Sequence, residues 1–118
     1  MGLVDCDKHG HQGLVWGISN EVQQNILADV SMTTGDIAYI QIPGEEFSYF
    51  QPGYVLNKKL YNSLELEKIP VNTKENIDII EAVLKNHITG ICIKCYTEYI
   101  ERHNLPQVLI DVLGIRKL

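Results

Sequence analysis

The chain has 118 residues, enough for one domain of ordinary size. Hydrophobic residues make up 45% and charged residues 21%, values that exclude a disordered or collagen-like chain and leave one able to bury a core. The formal net charge of −5 disfavours the phosphate backbone of nucleic acid and suits a basic partner.

No run of about 18 apolar residues occurs, so no membrane-spanning helix is expected. The start, MGLVDCDKHG, has no charged region followed by an apolar stretch, so a secretory signal is not expected. Gly2 fits a myristoylation signal, but Cys6 stands where Ser or Thr is required. A cytoplasmic protein with no membrane contact is the expectation, and its thiols then stay reduced.

In chain order, GLVWGIS (residues 13–19) is short, apolar and bounded by glycine, which predicts a strand. NEVQQNILADV follows, with Asn20 and Gln23 in capping-box positions and Val22, Ile26, Leu27 and Val30 at helical spacing. That pattern predicts an amphipathic helix over 21–31. DIAYIQI predicts a strand at 37–42, which Pro43-Gly44 ends. Residues 45–71 read as short strands or an irregular aromatic segment, with a turn at Pro52-Gly53 and a strand near 64–69 in LELEKI.

The strongest helical pattern is VNTKENIDIIEAVLKNHI. Asn72 and Glu75 make a capping box, and Ile77, Ile80, Val83, Leu84 and Ile88 form an apolar stripe, predicting a helix over 73–87. ICIKC then reads as a tight turn, YTEYIERHN as a short helix starting at or just after Cys95, and Pro106 as the opening of a last helix that Gly114 ends. The expected architecture is one α+β domain over residues 1–118, with a small antiparallel sheet and about four helices.

The chemistry lies near the two ends. Cys6 and His9 form a C-x-x-H pair, and Cys92 and Cys95 a C-x-x-C pair. A tight turn carrying two such residues presents both to one ion, and structural zinc takes four Cys and His donors in a tetrahedron. All three cysteines are used, with His9 as the fourth donor and Gly10 after it for the turn. His11 competes with His9, and the two-residue spacer favours His9. The expectation is a zinc-ribbon-like Cys3His site in which zinc joins the chain ends as a structural staple. His87 and His103 read as solvated histidines near helix ends.

A redox C-x-x-C follows a strand and opens a helix, whereas here the motif is expected to follow a helix. Four protein donors leave no open coordination position. There is no His-x-Glu with Pro-Cys-x-x-Cys, no G-x-S-x-G, no Walker loop and no H-E-x-x-H. No enzyme is therefore expected. A candidate partner surface is Glu45, Glu46, Phe47, Tyr49 and Tyr54, aromatic anchors with an acidic rim. Asp78 and Glu81 offer a competing acidic face.

The start Cys6-x-x-His9-Gly10, the following GLVWGIS strand with Ser19, and the late Cys92-x-x-Cys95 together resemble small zinc-bearing immunity proteins of bacterial polymorphic and contact-dependent toxin systems. Residues 35–90 lie outside the resemblance. It implies a protein without catalysis that binds and neutralises one cognate toxin domain, often a basic nuclease. The alternative is a regulatory or nucleic-acid-associated zinc-ribbon protein, supported by Lys58-Lys59 between Tyr54 and Tyr61 and opposed by the net charge.

Overall fold

The computed structural model describes residues 3–42 and 52–115. Five strands and five α-helices make an α+β fold: β1 (Leu3–Cys6), β2 (Gly10–Ser19), α1 (Asn20–Leu27), β3 (Ile37–Gln41), β4 (Gly53–Asn57), α2 (Lys58–Ser63), α3 (Lys74–Leu84), β5 (Ile88–Cys92), α4 (Ile93–Arg102) and α5 (Val108–Asp111). Short 3-10 turns lie at Thr34–Asp36 and Leu66–Lys68. The partner-surface residues Glu45, Glu46, Phe47 and Tyr49 lie outside the described residues.

Strand β2 is the hub of the sheet. It pairs antiparallel with β1 and with β5, and runs parallel to β4 at Ile18 opposite Val55; β3 then closes antiparallel on β4. The sheet is therefore mixed rather than purely antiparallel. The parallel contact arises because the long connection through α1 and β3 returns the chain to β2 in the same direction.

A bulge sets which face of β2 meets the core. Val15 and Ile18 are both buried, three residues apart, a spacing that strict alternation would put on opposite faces. The register shifts between Trp16 and Ile18, and Gly17 takes φ 110°, absorbing the extra residue. Trp16 is left facing outward, 48% exposed.

The strands divide two apolar clusters between the faces of the sheet. Val15, Ile18 and Val55 pack with Val22 and Ile26 of α1, Tyr96, Tyr99 and Ile100 of α4, and Leu109 and Ile110 of α5. On the other side Ile40, Tyr54 and Leu56 pack with Ile77, Ile80 and Leu84 of α3. Strand β4 feeds both, Val55 to one cluster and its neighbours to the other, so it is buried on both faces. Tyr54 is thus a core residue, 3% exposed, and does not offer its ring as a surface anchor. Burial, and then Glu81, push its hydroxyl pKa upward.

Several expected elements change once the chain is folded. Helix α1 ends at Leu27, because Asp29 adopts the left-handed conformation (φ 55°) and the Val30 amide donates back to the Asn25 carbonyl at 2.8 Å. Leu27 and Val30 consequently leave the core stripe and stand 55% and 49% exposed. Gln23 does not cap α1; its amide donates to the Gly90 carbonyl at 2.8 Å and ties the helix to β5. Residues 58–63 form a helix, and the strand expected near 64–69 is a 3-10 turn entered through Glu65 at φ 54°. Helix α3 is capped by Thr73, whose Oγ1 accepts from the Asn76 amide at 3.1 Å, and it stops at Leu84. Ile88 then belongs to β5, because antiparallel pairing with β2 takes over from the helical stripe.

A polar latch fixes the exit from α1. Arg102 and His103, at the end of α4, both donate to Asp29 Oδ1, at 2.8 and 2.9 Å. The Tyr99 hydroxyl donates to the Val30 carbonyl, and the Tyr99 and His103 rings lie 4.2 Å apart. His103 is therefore a partnered group rather than a solvated one.

His103 first, then Arg102, hold the Asp29 carboxyl below its ordinary value of 3.8. A lowered folded pKa contributes stability that is complete above the unfolded value and is lost as pH falls through the folded value. Between pH 5 and 2, Asp29→Asn should flatten the acid limb of a plot of Tm against pH; an unchanged limb would exclude the latch as a source of acid sensitivity. A packing test is Gly53, where an added Cβ would lie 2.4 Å from the Val112 carbonyl and 2.6 Å from that of Ile40. Gly53→Ala should destabilise by about 1–3 kcal/mol in denaturant titrations, whereas Gly35→Ala, with its nearest contact at 3.7 Å, should move the midpoint far less.

Candidate metal centre

Two local structures present the four donors. Cys6 ends β1 and pairs across the hairpin with Gly10, so Asp7, Lys8 and His9 form the turn between them. Gly10 has φ +74°, a conformation glycine takes without the Cβ penalty. The second pair begins at the last residue of β5. Cys92 lies opposite Leu14 of β2 and is the N-cap of α4, whose first turn carries Cys95. Because β2 pairs with both β1 and β5, one strand brings the hairpin turn and the C-x-x-C together.

The donor atoms of Cys6, His9, Cys92 and Cys95 all lie within 4.8 Å of one another, close enough to hold a metal ion. Cys6 Sγ is 3.4 Å from Cys95 Sγ. His9 Nδ1 is 3.6 Å from Cys6 Sγ, 3.5 Å from Cys95 Sγ and 3.8 Å from Cys92 Sγ. In a tetrahedron with zinc–sulfur bonds near 2.3 Å and zinc–nitrogen bonds near 2.0 Å, donor separations are about 3.5–3.8 Å. The four separations above, 3.4–3.8 Å, fall near that figure, and all the donors lie within 4.8 Å of one another.

His9 is oriented from behind. Its Nε2 lies 3.0 Å from the Glu98 carboxylate, on the face of α4 that also carries Cys95, and this leaves Nδ1 directed at the sulfurs. A carboxylate on the far nitrogen is the usual arrangement around a metal-bound histidine, fixing its tautomer and raising its basicity. Gln12 adds a hydrogen bond to the His9 carbonyl at 2.9 Å. His11, the competing donor, is exposed and pairs with Asp5 across the hairpin at 2.9 Å, outside the cluster.

The electrostatics favour a bound cation. The Lys8 backbone amide, first of all, holds the Cys6 thiol down at about 6, with His9 and Cys95 adding to it. Burial, and then the neighbouring sulfurs, push Cys95 up to about 12. Hydrogen bonds that His9 donates to Cys6 and then to Glu98 raise its pKa above the ordinary value. Three sulfurs this close cannot all ionise without a positive charge among them, and a divalent ion supplies it. The N-terminus of α4 adds the favourable end of its dipole.

Glu98 was not foreseen from the sequence. Its only signal is an acid one helical turn after Cys95, which carries weight once residues 93–102 are known to be helical. The placement of the C-x-x-C also differs from expectation, since it follows strand β5 and opens α4. Position in the chain is therefore no argument against thiol redox chemistry. What distinguishes this motif is the company of Cys6 and His9, which complete a four-donor shell. Comparison with protein-family models, with curated proteins and with solved structures finds no match.

Glu98→Gln should weaken metal binding by about 10–100-fold in competition with a chromophoric chelator, while His11→Ala leaves affinity unchanged. A His11→Ala variant that lost the metal while His9→Ala kept it would reverse the ligand assignment.

Proposed function

We propose that the chain is a non-catalytic binding protein stapled by one structural zinc ion, and that it acts as an immunity protein for a basic toxin domain. The donor set carries the metal part of this reading. Three thiols and one imidazole whose donor atoms lie within 4.8 Å of one another suit zinc, and four protein donors would leave no coordination position for substrate water. Cys6 and His9 belong to the first hairpin and Cys92 and Cys95 to the β5–α4 junction, so the ion would close most of the chain into one loop.

The binding part rests on charge and on the resemblance at the two ends. A net charge of −5 favours a basic protein over nucleic acid. The exposed acids Asp78 and Glu81 on α3 add to the negative surface. The alternative of a nucleic-acid protein draws on Lys58 and Lys59, and Lys58 Nζ lies 5.1 Å from the centre of the Tyr61 ring on the same helix. These lysines share their surface groove with Glu21 and Asp36, which weakens its pull on phosphate.

Protein purified without added metal should contain one zinc per chain. Chelation, or Cys92→Ser, should cost several kcal/mol of stability, in line with the ~10–16 kcal/mol free energies of structural zinc; a variant that melted with the parent would remove the staple. For the partner, co-expression with the domain encoded beside this gene should relieve that domain's toxicity and give a complex whose association slows with salt. Toxicity left intact, with tight binding to nucleic acid at physiological salt, would favour the alternative.

A further inference from the structure

One wall of the metal centre is also the wall of a groove of about 390 Å³. Its apolar lining comes from Leu14 of β2, Ile26 and Leu27 of α1, and Ile91 of β5. Ile26 and Ile91 are nearly covered, at 4% exposure each, so they form the floor, whereas Leu27 stands 55% exposed at the edge. Leu27 thus belongs to a shared apolar lining rather than standing alone on the surface.

The charged lining is unequal in sign. Asp5, Asp7 and Glu98 contribute carboxylates, against Lys8 and Arg102; Asp5 and Glu98 are hydrogen-bonded to His11 and His9, and Asp7 has no such bond among the described residues. Arg102 is already engaged by Asp29 at 2.8 Å, which leaves Lys8 as the cation without such a partner among these residues. With a divalent ion bound, the sulfurs of Cys6, Cys92 and Cys95 would add to the negative side, since three thiolates around it would leave one unit of negative charge. The groove therefore combines an aliphatic floor with a net negative rim.

We propose that this groove is the seat for an arginine or lysine side chain of the protein partner, its methylene stem lying over Leu14, Ile26 and Leu27 and its cationic head turned to Asp7. Side chains of this kind cover apolar surface with their stems and keep the head in polar surroundings, which is the combination found here. A neutral apolar anchor would leave the carboxylates partly desolvated, and an acidic one would meet charge of its own sign. The inference rests on the reading of the chain as a binder of basic proteins and gives that reading a location, at the metal centre rather than at residues 45–54.

The test uses the metal-loaded protein and two short capped peptides, one with an arginine between leucines and one with glutamate in its place, followed by methyl and amide NMR. The arginine peptide should shift Leu14, Ile26, Leu27 and Ile91 and leave Ile79, on the opposite side of the sheet, unmoved. Asp7→Lys and Leu27→Asn should each weaken it by about tenfold at low salt. Equal shifts from both peptides, shifts centred on Ile79, or no shift at millimolar peptide would overturn the proposal. Metal content measured on the same samples keeps the two readings apart. Full metal with no arginine effect counts against the groove alone, and arginine binding in a sample that holds no metal counts against the staple alone.

Discussion

The pairing of Leu14 with Cys92 sets the geometry on which the metal centre depends. Side chains alternate faces along a strand, so a slip of one residue between β2 and β5 would turn Cys92 away from the hairpin that holds Cys6 and His9. Two glycines protect this register. Gly17 absorbs the bulge, and Gly90 leaves room for Leu14, whose side chain would stand 2.8 Å from an added Cβ. Gln23 holds the Gly90 carbonyl from α1, so a helix guards the same stretch of β5.

The charge problem at the centre is eased on the hairpin side, where backbone amides hold Cys6 down, and stays open at Cys95, where burial and the neighbouring sulfurs disfavour a second thiolate. Glu98 then binds the outward nitrogen of His9 and makes the inward nitrogen a better donor. These devices belong to two parts of the chain that β2, paired with both β1 and β5, holds side by side. An ion bound here would therefore be coupled to folding, since the donors are scattered until the sheet forms.

The two ends of α4 do different work. Its start carries Cys95, and its finish carries Arg102 and His103, which hold Asp29 in the left-handed turn that ends α1. Between them, Tyr96 and Tyr99 are fully buried, and each hydroxyl donates to a backbone carbonyl, Leu109 at 2.6 Å and Val30 respectively. A buried hydroxyl without a partner would be costly, so these bonds fix where α5 and the α1 exit must lie. The groove beside the metal centre is shaped by the same arrangement, with α1 as one wall and the hairpin as the other.

The sequence by itself determined the donor set, because C-x-x-H and C-x-x-C spacings are local and a tight turn is enough to aim each pair. It also determined the α+β class and the body of α3, where an apolar stripe and a nearby cap agree. What needed the tertiary structure was every feature decided by distant partners. Strand β5 was hidden because Ile88 continues the helical stripe and ICIKC reads as a tight turn until β2 pairs with residues 88–92. The end of α1 was misplaced because Val30 continues the helical stripe, and only Arg102 and His103 hold Asp29 in the turn that breaks it. Tyr54 looked like a surface anchor because a ring beside Pro52-Gly53 is ambiguous until α3 covers it. Glu98 was silent for the same reason. Spacing along the chain records which residues can act together within one turn. Whether two turns meet is set by strand register and core packing, which no short segment contains.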